Sequence, residues 1–290
     1  MKIGVWILAA RPKTLPAAIA PVLVGTALAA HDGQFAATPA FICLAFALLI
    51  QIGTNFANDY FDFVQGADNE QRIGPTRAVA AGLISPKAMR YATIVVLTLA
   101  FLVGMFLVYW GGAWLVLVGL VSIFCAITYT GGPYPLGYNG LGDVFVFIFF
   151  GLVAVGFTYY VQAGAFSSVA WMLGAGVGAL STNLLVINNY RDVETDRAAG
   201  KRTLVVRWGR SAAWWQYVVS VLLAMAVPAM LVIAGYAWTV LLPLAMTPLG
   251  VFLCLLLKRS KTRADFQLVL AQTAKMLLFY SGLLSIGLVL

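Results

Sequence analysis

Two short polar segments hold the side chains of this sequence that are best suited to catalysis or ligand binding. Residues 58–68 and 188–196 form a first and a second acidic window, whose candidate ligands are Asn58, Asp59, Asp62 and Asp68, then Asn188, Asp192 and Asp196. Within each window, members four residues apart would lie on one helix face as a row of oxygens. Carboxylate and amide oxygens are donors that suit Mg²⁺ or Mn²⁺. The spacing therefore predicts a divalent cation between two helices.

The windows stand out because acidic residues are scarce elsewhere in the chain. Seven of the ten Asp and Glu residues fall in the intervals 59–70 and 192–196. Carboxylates beside a membrane repel one another and resist desolvation, and a cation between them offsets both costs. Solvated loops with salt bridges are one alternative explanation. An ion or proton pathway is another, although the carboxylates lie at helix ends and not within a span.

An anion is expected at the same place. Mg²⁺ usually takes one or two carboxylates and completes its shell with water and substrate phosphate. Basic residues close to the windows in the sequence are candidates to bind that anion by charge-assisted hydrogen bonds. They are Arg72, Arg77, Arg191, Lys201 and Arg202.

The elements that position the windows follow from composition. The chain has 290 residues, of which 62% are hydrophobic and 10% charged, whereas soluble domains have about 45–50% and about 25%. The apolar excess excludes a soluble enzyme, a disordered chain and a disulfide scaffold, and it indicates a polytopic membrane protein. The apolar runs are continuous and lack the alternation of barrel strands, so the spans are predicted to be helices.

Apolar runs predict nine transmembrane helices in a single domain that covers residues 1–290. A helix of about 20 residues crosses a bilayer. The approximate bounds of the predicted spans are 14–30, 39–58, 88–108, 113–130, 142–162, 168–190, 212–234, 237–257 and 267–289. The chain is thus expected to be an all-α membrane bundle, with residues 1–10 as a retained lead-in instead of a cleaved signal peptide.

Basic residues predict the orientation of the bundle. With nine spans, 17 of the 18 Lys and Arg residues lie on one side, and the eighteenth, Lys275, lies within the last span. Cytoplasmic loops are enriched in Lys and Arg, so the N-terminus and both windows are predicted to face the cytoplasm at the cell membrane. The net charge of +8 favours contact with anionic membrane lipid. Nucleic acid is not expected as a partner, because the cations flank spans and form no stripe.

Several short motifs accompany the windows. They are 11–16 (RPKTLP), 72–75 (RIGP), 128–132 (TYTGG), 140–143 (GLGD) and 200–207 (GKRTLVVR). Together with the windows, these motifs resemble the UbiA superfamily of intramembrane aromatic prenyltransferases. Within that group the flanking strings are most similar to the 1,4-dihydroxy-2-naphthoate prenyltransferases of menaquinone synthesis.

One position separates this sequence from other branches of the superfamily. Where many members carry a third Asp four residues after the position of Asp62, this sequence has Gly66, followed by Asp68. Glycine at that point allows the chain to turn, so that Asp68 can fold back. Segment 131–140 contains no Lys or Arg, so the cationic acceptor contact found there in some relatives is not expected.

The resemblance implies both a fold and a ligand set: a nine-helix bundle around a central cavity open to lipid, a polyprenyl diphosphate donor, and Mg²⁺. The residues implied to bind Mg²⁺ are Asn58, Asp59, Asp62, Asp68, Asp192 and Asp196. The residues implied to hold the donor with its metal are Asn58, Arg72, Asn188, Lys201 and Arg202. The residues implied to act in catalysis are Asp62, Asp192, Asp196 and Tyr129.

The implied reaction is transfer of the polyprenyl group to 1,4-dihydroxy-2-naphthoate, with loss of CO₂ and a proton, to give demethylmenaquinone. Metal and cations neutralise the diphosphate as its C–O bond breaks. The ring of Tyr129 is expected to shield the allylic cation by cation–π attraction, with Tyr60 and Tyr190 as further candidates. Arg11 or Lys13 is a candidate to bind the acceptor carboxylate.

Two alternatives stay open from the sequence. Another branch of the superfamily would use 4-hydroxybenzoate, homogentisate or a chlorophyllide as the acceptor. An ion-coupled transporter would require two comparable halves with broken helices, and the sequence has no interrupted helix pair.

Overall fold

A computed structural model describes residues 3–67 and 76–290 of the chain. Every regular element in these ranges is helical, which confirms the predicted all-α fold. The α-helices are α1 (Ile3–Ala10), α2 (Pro16–His31), α3 (Ala37–Val64), α4 (Pro86–Met105), α5 (Val108–Gly111), α6 (Leu115–Thr128), α7 (Gly142–Phe147), α8 (Ala154–Ala163), α9 (Ser168–Ala198), α10 (Leu204–Ile233), α11 (Thr247–Arg259) and α12 (Arg263–Val289). A π-helical turn, Ile148–Val153, joins α7 to α8, and a 3₁₀ segment, Trp238–Met246, leads into α11.

The multi-pass prediction is confirmed, but the count of nine spans is not. Among the described residues, seven helical stretches are long and apolar enough to cross a bilayer, and an eighth is added if α1 and α2, bent by 53°, form one span. The predicted span 113–130 contains α6, which has 14 residues. At 1.5 Å per residue such a helix is about 21 Å long, short of the hydrocarbon core of about 30 Å.

Helix α9 lies at the centre of the bundle. Its apolar stretch is 78% buried, and it packs against α2, α7, α8, α10 and α12. Because α9 continues to Ala198, the second acidic window lies on its last turns. Helix α3 likewise continues to Val64 and carries the first window through Asp62. The chain then turns at Gly66, whose φ of +69° is the left-handed conformation that glycine favours.

Glycines bring the α7–α8 wall directly against α9. A Cβ atom on Gly151, in the π-helical turn, would contact the Gly174 carbonyl oxygen and lie 2.6 Å from Gly178 Cα. These contacts are backbone atoms, so a side chain at Gly151 requires one helix to move. Close approach through small residues is a common way for helices to pack in membranes.

Substitution of Gly151 tests this approach. Gly151→Ala is expected to lower the melting temperature of the detergent-solubilised protein, because overpacking a tight contact costs about 1–3 kcal/mol. Gly282→Ala in α12 is the matched control, since a Cβ there meets nothing within 4 Å. Thermal unfolding of both variants, followed by intrinsic fluorescence, provides the measurement. Equal melting temperatures would contradict the close approach.

Candidate active site

A large cavity in the described part of the chain has a volume of about 760 Å³, and residues of both acidic windows line it. Its wall is formed by α2, α3, α4, α6, the α7–α8 stretch and α9. Charged and polar side chains surround the end where the windows lie. We refer to this end as the mouth.

The rest of the cavity is an apolar chamber. Its wall includes Phe46, Phe101, Leu107, Leu115, Phe149, Phe157 and Val161. Along α3, both Asp62 and Cys43 line the cavity; the stretch of helix between them is about 28 Å long at 1.5 Å per residue. The cavity, mouth and chamber together, thus extends over a length close to the thickness of a hydrocarbon core, which is about 30 Å.

Asp62 is held at the mouth by three other side chains. It is 3% exposed. Its Oδ1 accepts a hydrogen bond from the Tyr138 hydroxyl at 2.6 Å, and its Oδ2 accepts one from Arg77 Nη2 at 2.7 Å. Lys201 Nζ lies 3.5 Å from the same Oδ1. Three segments distant in sequence therefore converge on one carboxylate.

The second window is paired with cations in the same way. Arg191 donates to both oxygens of the Asp192 carboxylate, with Nε 2.7 Å from Oδ1 and Nη2 2.6 Å from Oδ2. Asp196 Oδ1 lies 3.4 Å from Lys201 Nζ. Lys201 therefore stands between Asp62 of α3 and Asp196 of α9. In the described residues, three carboxylates at the mouth face three cations.

The two asparagines of the predicted ligand set also lie on the cavity wall. The Asn58 amide oxygen accepts a hydrogen bond from the Thr130 hydroxyl at 2.9 Å. The Asn188 amide nitrogen donates to the Leu184 carbonyl one turn earlier, at 3.0 Å. The structure thus brings Asn58, Asp62, Asn188, Asp192 and Asp196 to one mouth.

Asp59 is not brought to that mouth. Its side chain is 1% exposed, and its two oxygens accept hydrogen bonds from the backbone N–H groups of Ala78 and Val79 at 3.0 and 3.2 Å. It is also absent from the cavity wall. The prediction that Asp59 helps to bind the metal is therefore not supported. The carboxylate instead anchors the chain that returns after the first window.

Four further predicted site residues have different outcomes. Lys201 lies at the mouth, as described above. Arg202 has an exposed side chain that does not line the cavity; its backbone N–H donates to the Tyr138 carbonyl at 2.6 Å. The predicted contacts of Asp68 and Arg72 fall outside the residues that the structure describes.

Tyr129 lines the cavity beside the mouth, whereas Tyr60 and Tyr190 do not. Space for the Tyr129 ring comes from two glycines. A Cβ on Gly137 would lie 3.0 Å from Tyr129 Cε1, and one on Gly142 would lie 2.8 Å from its hydroxyl. Of the three candidate aromatic residues, Tyr129 alone is therefore placed to face a ligand in this cavity.

Arg11 also lines the cavity, and its backbone is unusual. Its φ of +51° lies in the left-handed region, which among the described residues no other non-glycine residue adopts. The Thr14 hydroxyl donates to the Arg11 carbonyl at 2.9 Å and accepts from the amides of Gln51 and Asn55 at 2.9 and 3.0 Å. Helix α3 thereby holds the turn that carries Arg11. Lys13 lines the cavity too, with an exposed side chain.

Two contacts at the mouth were not predicted from the sequence. Tyr138 and Thr130 are uncharged residues of the segment between α6 and α7, and they bond to Asp62 and Asn58. Their only sequence signal is the TYTGG motif at 128–132, which contains Thr130 and precedes Tyr138 by six residues. Nothing in local spacing connects them to the windows, because both contacts join residues more than 70 positions apart.

The donor set at the mouth fits a hard divalent cation such as Mg²⁺. The five oxygen-bearing side chains come from two helices, and carboxylate, amide, water and phosphate oxygens are the usual shell of this ion. Across residues 3–67 and 76–290, no three Asp, Glu, His or Cys side chains converge closely enough to hold a metal by themselves. The carboxylates are turned toward Lys201, Arg77 and Arg191 instead. The carboxylates of the two windows thus already stabilise positive charge at the mouth, carried here by these three side chains.

This fold and site define a class of protein. It is a polytopic, all-helical membrane protein whose cavity joins a mouth suited to a phosphate and a cation with a chamber suited to a lipid chain. Residues 18–283 match the family model described as the UbiA prenyltransferase family, and the chain belongs to this family.

Individual relatives agree with this assignment. The chain is 37% identical over 300 residues to the 1,4-dihydroxy-2-naphthoate octaprenyltransferase of Haemophilus influenzae, covering 100% of this chain and 97% of the relative. The apo structure of a UbiA homologue from Aeropyrum pernix K1 is similar with a TM-score of 0.70 at 16% identity, over 90% of this chain and 94% of that one. A UbiA homologue from Archaeoglobus fulgidus, solved with GPP and Mg²⁺, gives a TM-score of 0.62 at 15% identity, over 97% and 99%. These two likenesses support the fold.

The different positions of Asp59 and Asp62 lead to a prediction. Asp59→Asn is expected to lower the melting temperature, because a poorly satisfied buried N–H costs about 1–3 kcal/mol, but to leave Mn²⁺ affinity close to that of the wild type. Asp62→Asn is expected to weaken Mn²⁺ binding by at least about tenfold. Electron paramagnetic resonance of free Mn²⁺ measures both affinities. A large loss of Mn²⁺ affinity in Asp59→Asn would contradict this prediction and indicate that Asp59 binds the metal.

Proposed function

We propose that this protein transfers the polyprenyl group of a polyprenyl diphosphate to 1,4-dihydroxy-2-naphthoate, with loss of CO₂, to give demethylmenaquinol, the two-electron-reduced form of demethylmenaquinone. The observation that carries the proposal is the single cavity, in which paired carboxylates and cations adjoin an apolar chamber. The Haemophilus influenzae relative, a 1,4-dihydroxy-2-naphthoate octaprenyltransferase, supports this acceptor. The ligands of the Archaeoglobus fulgidus homologue support a prenyl diphosphate with Mg²⁺.

The mouth would bind the diphosphate. Lys201, Arg77 and Arg191 are proposed to donate charge-assisted hydrogen bonds to its oxygens. The side chains proposed to hold Mg²⁺ are Asn58, Asp62, Asp192 and Asp196, with Asn188 beside them. Mg²⁺, when bound, supplies positive charge that stabilises the leaving diphosphate. Two further contacts remain predictions from the sequence: Asp68 with Mg²⁺ and Arg72 with the diphosphate.

The chamber would hold the polyprenyl tail and exclude water while the C–O bond to the diphosphate breaks. The departing diphosphate takes the bonding electron pair, and an allylic cation remains on the prenyl carbon. The Tyr129 ring can stabilise this cation by about 2 kcal/mol or more in a site without water. The electron-rich ring carbon that bears the carboxylate then attacks the cation. The carboxylate leaves as CO₂, and the electron pair of its C–C bond restores the aromatic ring, which stays a hydroquinone.

Arg11 is proposed to bind the acceptor carboxylate. Its guanidinium suits a bidentate contact with a carboxylate. The backbone at Arg11 is strained, and Thr14 together with two side-chain amides of α3 holds it in that conformation. Backbone strain maintained in this way is typical of sites where a side chain binds a ligand. Lys13 is a second cation at the same part of the wall.

The proposed membrane orientation places the mouth at the cytoplasmic face of the cell membrane. The cations predicted for that face include Lys201, which lies at the mouth. At the opposite end, the Trp114 ring packs on Phe157, Tyr160 and Phe166, with centroids 5.3, 5.4 and 6.0 Å apart. Aromatic side chains of this kind are typical of a membrane–water interface.

The proposal predicts turnover by the purified protein. In nanodiscs with octaprenyl diphosphate, 1,4-dihydroxy-2-naphthoate and Mg²⁺, we expect demethylmenaquinol, detected by mass spectrometry as demethylmenaquinone after oxidation in air, and no product with EDTA. Lys201→Met is expected to raise the KM for the diphosphate by roughly tenfold or more, because a hydrogen bond to a charged group contributes about 1.5–3 kcal/mol. Arg259→Gln, an exposed change away from the cavity, is the control.

A panel of acceptors tests the identity of the aromatic substrate. Product from 4-hydroxybenzoate, homogentisate or a chlorophyllide, with none from dihydroxynaphthoate, would overturn the proposed acceptor while keeping the reaction class. Product that forms equally well in EDTA would overturn the metal assignment.

The Arg11 assignment predicts a selective kinetic defect. Arg11→Gln is expected to raise the KM for dihydroxynaphthoate by about tenfold and to leave the KM for the diphosphate nearly unchanged. Arg90→Gln, exposed on α4 and absent from the cavity wall, is the matched control. Steady-state assays with each substrate varied in turn measure the two constants. An equal rise in both would argue for a general structural effect.

A further inference from the structure

Tyr138 contacts both halves of the mouth, although it belongs to neither acidic window. Its hydroxyl donates to Asp62 Oδ1 at 2.6 Å. Its ring lies beneath the Lys201 ammonium, with Nζ 4.3 Å from the ring centroid. One side chain therefore touches a carboxylate of the first window and the cation that follows the second.

The Lys201 side chain is flexible, and its two carboxylate contacts are long. It follows Gly200, whose φ of +74° turns the chain at the end of α9, and its long stem has many rotamers. Its Nζ stands 3.5 Å from Asp62 Oδ1 and 3.4 Å from Asp196 Oδ1, which is longer than a close ion pair. The face of an aromatic ring attracts an ammonium and limits where it can lie.

The segment that carries Tyr138 is itself tied to the surrounding helices. The Tyr138 carbonyl accepts from the Arg202 N–H at 2.6 Å, and the neighbouring Gly137 N–H donates to the Tyr129 carbonyl at 2.8 Å. Arg207 Nη2 donates to the Asn139 carbonyl at 2.9 Å. The backbone that carries Tyr138 is thus held from both sides, by the residue that follows α6 and by residues at the start of α10.

We propose that Tyr138 is a positioning residue with two separable tasks: its hydroxyl orients Asp62 for the divalent cation, and its ring orients Lys201 for the diphosphate. This inference rests on the proposed function. A partner that orients a metal ligand typically contributes tenfold to a hundredfold to metal affinity. The ring contact contributes to anion binding through Lys201 alone.

Two variants separate the tasks. Tyr138→Phe removes the hydroxyl and keeps the ring, whereas Tyr138→Leu removes both, with Tyr138→Met as a second variant without the ring. Tyr134→Phe, at an exposed tyrosine of the same segment, is the matched control. Mn²⁺ affinity is measured by electron paramagnetic resonance. Pyrophosphate affinity is measured by calorimetry in EDTA, and melting temperatures report folding.

We expect Tyr138→Phe to weaken Mn²⁺ binding by about tenfold or more and to leave metal-free pyrophosphate affinity within about twofold of the wild type. Tyr138→Leu is expected to weaken Mn²⁺ binding as strongly and pyrophosphate binding by about threefold to tenfold. Tyr134→Phe is expected to match the wild type in both measurements.

Two results would overturn the inference alone: a Tyr138→Phe variant that binds Mn²⁺ like the wild type, or ring-free variants that bind pyrophosphate no more weakly than Tyr138→Phe. A wild-type protein that binds neither probe would overturn the proposed function together with the inference. The two failures are therefore distinguishable.

Discussion

The pairing of buried carboxylates with cations at the cavity mouth is the constraint on which the rest of this structure depends. An ionised group removed from water costs several kcal/mol unless a counter-charge and hydrogen bonds compensate it. Asp62 and Asp196 are 3% and 8% exposed, and both lie beside the Lys201 ammonium. The ends of α3 and α9 must therefore converge, and the chain after α9 must fold back across them.

The same constraint separates the cavity into two chemical environments. Charge is concentrated where α3 and α9 end, and the wall becomes apolar along α3 from Asp62 towards Cys43. A ligand with a charged head and a long apolar tail is complementary to this gradient. The close glycine contact at Gly151 brings the α7–α8 stretch against α9, and both elements line the cavity.

Hydropathy predicted most of the helices, because a span must be apolar along its whole length. It did not predict that α6 would stop after 14 residues or that α1 and α2 would bend by 53°, since these features depend on packing and on chain turns. Helical spacing likewise predicted the row of oxygens in each window. It was equally compatible with Asp59 as a metal ligand, and only the return of the chain at Ala78 and Val79 shows that this carboxylate accepts backbone hydrogen bonds instead.

By itself, the sequence determined the membrane class, the helical character, and the two clusters of oxygen donors at helix ends, because composition and periodicity are local properties that one chain displays directly. Only the tertiary structure decided which of those donors meet. It placed Asp62 against Arg77, Tyr138 and Lys201, and it left Arg202 outside the cavity. The physical reason is that contacts between segments far apart in the chain depend on how helices pack and where loops fold back, which spacing along one helix does not encode.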